Sequence, residues 1–176
     1  TISPENSFPN PYEHPVFSIA MKPHGVNKVL ILLLISDAKH HQENLRKIDI
    51  EHGVEKYEVY YKTFLDEKTL LHYFWGNVKS RFTFLLAWNG YQFDYPYLLI
   101  RSSQVYEIKN LYWGRPYLPD WIEVRKISDR NLPFYFHYRS PEDIEMLDYM
   151  RLYKSFVAHK ELSSYRLDNI AMEETG

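Results

Sequence analysis

Asp94 closes a stretch in which apolar and turn residues are sharply segregated. Residues 82–87 read Phe-Thr-Phe-Leu-Leu-Ala, Trp88-Asn89-Gly90 follows, and Phe93-Asp94-Tyr95-Pro96 opens a second apolar pattern. An apolar, aromatic-rich run of that length predicts a strand buried on both faces. Asn89-Gly90 predicts a tight turn. Pro96, in the first turn of a following helix, puts Asp94 where an N-cap would stand. The carboxylate thus belongs at the carboxyl end of a buried strand, where open α/β sheets bind their ligands. An acid at such a place either caps the helix or holds a divalent cation, and spacing alone leaves both open. A second acidic pattern, Asp49-Ile50-Glu51, has the alternate carboxylates that on one side of a strand grip a metal pair. It lies in a charged segment with Gly53 close behind, so it reads as loop and as a decoy too far from Asp94 to share a metal. The adjacent His40-His41 has no third ligand at metal spacing and reads as solvated loop.

The elements that must position Asp94 follow from periodicity. Residues 1–15 carry Pro4, Pro9, Pro11 and Pro15 and read as loop. Residues 16–21 and 28–35 read as two strands of a hairpin, with Gly25 in the connecting loop at a position suited to positive φ. Residues 54–64 predict a third strand. Asp66 caps a helix to about Lys79, whose Leu70, Leu71, Phe74, Trp75 and Val78 form one apolar stripe. Residues 102–140 interleave Lys109, Arg115, Arg125, Lys126, Arg130 and Arg139 with Tyr106, Tyr112, Trp113, Trp121, Phe134 and Tyr135. Such a mixture suits a groove for phosphates and bases. Glu107, Asp120, Glu123 and Asp129 dilute its charge, and a peripheral hairpin-like insertion is the reading adopted. Residues 144–150 predict a strand that enters a helix running through Phe156.

Composition sets the outer limits. A chain of 176 residues is one domain with room for a core. Its net charge of -2 creates no global positive field. Aromatics reach 17%, which a bulky core explains as well as base stacking does. With no cysteine there is neither a disulfide nor a thiolate zinc site, which fits a reducing, cytoplasmic setting. The longest apolar run, 29–35, falls far short of the ~20 residues of a membrane span.

Trp88-Asn89, then Phe93-Asp94, then Pro96-Tyr97 and Arg101 resembles the second exonuclease motif of family B DNA polymerases, the viral, T4-like members most closely. Phe8-Pro9 resembles the Phe-Pro that follows the first motif, Asp-x-Glu, in that family. Leu147-Asp148-Tyr149 and Ser164-Tyr165-Arg166-Leu167-Asp168 resemble its stretch between the second and third motifs. The similarity runs from Phe8 to about Ala171. It implies an α/β, RNase H-like (DnaQ-like) fold, a mixed sheet with flanking helices, over 1–176. It also implies 3′→5′ proofreading exonuclease activity on the single-stranded 3′ end of DNA, with the polymerase domains of the same polypeptide as partners, in the cytoplasm of a host cell if viral.

In the family, four carboxylates hold two divalent ions, Mg2+ or Mn2+. The resemblance places Asp94 among them as catalytic residue and metal ligand, and Asn89, Phe93, Phe8 and Trp88 against DNA. Asp148 and Asp168 do not match the family's ligands, and Tyr165 and Asp168 are spaced one residue too closely for the third motif, Tyr-x-x-x-Asp. The expectation is therefore a partial domain, incomplete at both ends, inactive as an exonuclease when alone and prone to associate through an empty sheet position. One alternative is an exonuclease-like domain without activity, with a nucleic-acid-binding or structural role. Another keeps Asp49 and Glu51 as ligands in a different metal-dependent nuclease, which requires them within reach of Asp94.

Overall fold

The computed structural model describes residues 9–41, 44–52, 54–107, 124–127, 138–141, 144–157 and 164–175. The first strands are β1 (Ser18–Met21) and β2 (Lys28–Leu34), an antiparallel pair joined through Gly25, whose φ of 77° is the left-handed conformation that glycine adopts without strain. β3 (Arg46–His52) and β4 (Glu55–Phe64) form a second hairpin. β4 returns alongside β2 in parallel, so the mixed four-stranded sheet has the order β1-β2-β4-β3.

β3 corrects the reading of the charged segment around Asp49 and Glu51 as loop. Lys47, Asp49 and Glu51 alternate with Ile48 and Ile50, the period of a strand, and the charges are tolerated because β3 lies at the sheet edge with every described side chain exposed.

α1 (Glu67–Arg81) begins where its sequence predicts. The Asp66 carboxylate accepts from the Thr69 N–H at 2.8 Å, the bond of an N-cap. Leu70, Leu71, Phe74, Trp75 and Val78 are all buried against Leu32 and Phe64 of the sheet. α2 (Asp94–Val105) joins α1 through the Trp75 Nε1–H, which donates to the Ser102 hydroxyl at 2.9 Å inside the core.

β5 (Phe84–Ala87) pairs in parallel with β8 (Glu145–Asp148), and α3 (Tyr149–Phe156) follows β8 directly. Here a second expectation fails. Residues 82–87 are not buried on both faces: Leu85 turns toward the core, whereas Phe84 and Leu86 are 57% and 56% exposed. Among the described residues the one strand partner of β5 is β8. An aromatic-rich run reports apolarity but not whether both faces are covered. β6 (Val124–Ile127) and β7 (Tyr138–Pro141) pair antiparallel, running one residue past the 102–140 stretch, and 102–105 belong to α2. The last element is α4 (Leu167–Thr175). No described helix is long and apolar enough to cross a membrane.

Candidate active site at the β5–α2 turn

The turn from β5 to α2 is built on the Asn89 carbonyl, which accepts from the N–H groups of Gln92 at 3.2 Å and Phe93 at 3.1 Å. Asn89 itself adopts φ 63°, a left-handed conformation that asparagine tolerates better than most residues. Gly90 is required for a different reason, close approach. A Cβ there would stand 2.6 Å from Cε2 and 2.9 Å from Cζ of Tyr95, and 3.0 Å from the Ala87 Cβ. The Tyr95 ring cannot yield easily, because its hydroxyl lies 2.8 Å from the Leu85 carbonyl and 2.9 Å from that of Leu147. We expect Gly90→Ala to cost about 1–3 kcal/mol, the usual range for overpacking, and to displace the turn. A denaturant melt measures it.

Asp94 is not the N-cap that its sequence position suggests. Phe93 takes that place, with no side-chain capping bond, and Asp94 is the first residue of α2. The carboxylate is thereby left uncommitted to capping, half-buried in the first turn of a helix. Burial, and then the nearby charge of Asp148, push its carboxyl above the ordinary aspartate range, against the opposing pull of its own backbone N–H. Asn89 contributes a second unusual atom. Its Oδ1 is buried and accepts no hydrogen bond in the structure.

The neighbouring aromatics are engaged structurally. The Tyr91 hydroxyl donates to the Met146 carbonyl at 2.6 Å, and its ring carries the Arg151 guanidinium 5.2 Å from the centroid. Phe93 packs on Tyr97, the ring centroids 5.4 Å apart. Trp88 lies against Tyr149 and Tyr153 of α3 and donates from Nε1 to the Tyr165 carbonyl at 3.1 Å. Phe8 lies outside the described residues.

The end of the motif reaches the chain's first described segment. The Tyr97 hydroxyl donates to the His14 carbonyl at 2.7 Å. Arg101 grips Glu67 through both Nε and Nη2, at 2.6–2.9 Å, and Glu67 also accepts from the Val16 N–H at 2.6 Å. Motif residues on α2 thus pin the strap of residues 9–16 that leads back to Phe8.

Asp49 and Glu51 are elsewhere. They line an open groove of about 550 Å³ together with Lys28, Lys47, Lys56 and Glu58, and pair with Lys47 at 3.3 Å and Lys56 at 2.8 Å. Among the described residues no three His, Asp or Glu side chains form a group able to hold a metal ion. Asp49, Glu51 and Asp94 therefore form no such group, although the first two lie on an edge strand and not in a loop.

The family model described as DNA polymerase family B, exonuclease domain, matches residues 1–170. The chain belongs to this family. Its mixed sheet and helices are those of an RNase H-like exonuclease fold. No curated protein matches the chain. Exonuclease domains of the family generally use divalent metals. Asp94 fits as one hard oxygen ligand for such an ion, and the turn before it carries the Asn89 amide oxygen, a buried acceptor without a partner.

Proposed function

We propose that this exonuclease domain proofreads in the 3′→5′ direction for a DNA-directed DNA polymerase of the viral, T4-like kind, hydrolysing the terminal phosphodiester of single-stranded DNA with two divalent ions, Mg2+ or Mn2+. The observation that carries the reading is the placement of Asp94. Its carboxylate stands at the mouth of a helix it does not cap, in a turn whose other exceptional atom is a buried acceptor without a partner.

Each residue then has a definable task. Asp94 would hold negative charge where cations must be gathered, in a half-buried place where a bound cation would favour the ionised carboxylate. Bound divalent ions would supply a nucleophilic hydroxide near neutral pH and stabilise the departing 3′ oxygen. The Asn89 Oδ1 is proposed to accept from the 3′ hydroxyl of the terminal deoxyribose. Phe93, Trp88 and Phe8 are proposed to meet the unpaired end of the strand with their ring faces. Trp88 does so from a fixed position, since Tyr165 already takes its N–H.

The test is direction and strand preference. A 5′-labelled single-stranded oligonucleotide, given Mg2+ or Mn2+ and the protein that bears this domain, should yield a ladder shortening from the 3′ end, faster than the same strand in a duplex. Release of label from a 3′-labelled strand should precede any shortening of the body. Internal cleavage or shortening from the 5′ end would overturn the reading.

A further inference from the structure

Asp148 is a buried carboxylate for which neither the motif nor the proposed chemistry has a use. It is 2% exposed, ends β8 beside Ala87 of β5, and begins α3 as its N-cap. Its two oxygens serve two different elements. Oδ1 accepts from the Arg151 N–H at 3.3 Å, inside the first turn of α3. Oδ2 accepts from the Tyr91 N–H at 3.2 Å, in the turn that carries Asn89 and Asp94. Two more bonds run the same way, from the Tyr91 and Tyr95 hydroxyls to the carbonyls of Met146 and Leu147. The β5–α2 turn is therefore fastened to the β8–α3 junction, and Asp148 is the point where three segments meet.

We infer that Asp148 is a positioning residue of the exonuclease centre, which clamps the Asn89–Asp94 turn to the start of α3 so that the Asp94 carboxylate is presented at a fixed place. The inference rests on the reading of Asp94 as a metal-holding residue. A carboxylate is needed because the two N–H groups are met by separate oxygens. Asparagine has one acceptor oxygen, and its amide nitrogen cannot accept. Asn at this position can cap α3 well, being among the best N-caps, but it cannot then hold the Tyr91 N–H. Glutamate would move both oxygens by a methylene in a site with no exposed room. Partners that orient a metal ligand typically change metal affinity or activity ~10–100-fold when lost.

The experiment compares the native protein that bears this domain with its Asp148→Asn, Asp94→Ala and Asp66→Ala variants. Two quantities are read: amide hydrogen exchange over residues 88–95 by mass spectrometry, and the share of Mn2+ binding that Asp94→Ala removes, by electron paramagnetic resonance. Asp148→Asn should keep its helical content, speed exchange across the turn, and weaken that share of Mn2+ binding ~10–100-fold. Asp66→Ala removes the cap of α1 and should move neither quantity, which separates positioning from general loss of a cap. Unchanged exchange in Asp148→Asn overturns the clamp, and faster exchange with unchanged Mn2+ binding overturns its role in the centre. If Asp94→Ala removes no Mn2+ binding, the reading of Asp94 fails on its own, and exchange in Asp148→Asn still decides whether the clamp exists.

Discussion

Asp94→Ala is expected to abolish nuclease activity in the protein that bears this domain while leaving the fold in place. The loss should exceed the ~10–100-fold that follows removal of a group merely supporting a metal ligand, because on the proposed reading a ligand itself is removed. Folding should survive because the side chain makes no capping bond for α2. Had Asp94 been the N-cap its sequence position suggests, alanine would cost about 0.5–2 kcal/mol. In this structure that cost does not arise, and the pKa shift points the other way. Burial first, and Asp148 second, raise the Asp94 carboxyl above its value in the unfolded chain. A group raised on folding contributes stability below its unfolded pKa and loses it as pH rises through the folded value. At neutral pH the charged carboxylate is thus a net burden on the fold. Asp94→Asn should therefore melt higher than the native protein at neutral pH, with the difference shrinking toward acid pH. Oligonucleotide degradation and thermal melts at two pH values read both halves. Undiminished activity in a well-folded Asp94→Ala protein would refute the role assigned to it. An Asn variant that melts lower at neutral pH would show that the carboxylate is stabilising.

How much of this was legible beforehand depends on whether the controlling interaction is local. α1 was readable almost residue by residue, since Asp66 caps it through a residue three positions on and its apolar stripe repeats along one face. The turn at Asn89-Gly90 was readable for the same reason, though not the division of labour in which Asn89 takes the positive φ and Gly90 makes room for Tyr95. β3 was missed because charge outweighed periodicity, when the alternation of Ile48 and Ile50 with charged neighbours was the better signal. The exposure of Phe84 and Leu86 had no signal in the sequence, because it depends on which elements flank β5. Asp148 could have been noticed as an acid directly before a helix, but its second bond spans 57 residues to Tyr91. The separation of Asp94 from Asp49 and Glu51 was inferred correctly from a mistaken premise. These acids lie on a strand, not a loop, and it is their edge position with lysine partners that sets them apart.

Arg101→Ala is the second change expected to have a large effect, and it acts through stability. The pair it breaks is largely withdrawn from water, with side chains 15% exposed for Arg101 and 10% for Glu67. Removing one member of a buried ion pair typically costs about 3–5 kcal/mol, because the other charge stays behind uncompensated. The residual exposure places this case toward the low end of that range. Glu67 would keep the Val16 N–H as a donor but lose both guanidinium contacts. Lysine should restore only part of the loss, since a point charge cannot reproduce the grip of Nε and Nη2 on both carboxylate oxygens. Combining Arg101→Met with Glu67→Gln should be milder than Arg101→Ala alone, because no buried charge is then left unpaired and a Gln oxygen can still accept from Val16. The consequence for function follows from what the pair holds. Arg101 and Glu67 fasten α1, α2 and the strap of residues 9–16, and on the proposed reading that strap delivers Phe8 to DNA. Arg101→Ala should therefore open residues 9–16 to limited proteolysis and raise the KM for single-stranded DNA more than it lowers kcat. Urea melts and a digest followed by mass spectrometry measure the first effect, and steady-state degradation the second. A variant that melts like the native protein, with the strap still protected, would mean that Tyr97 and its bond to the His14 carbonyl hold the segment without Arg101.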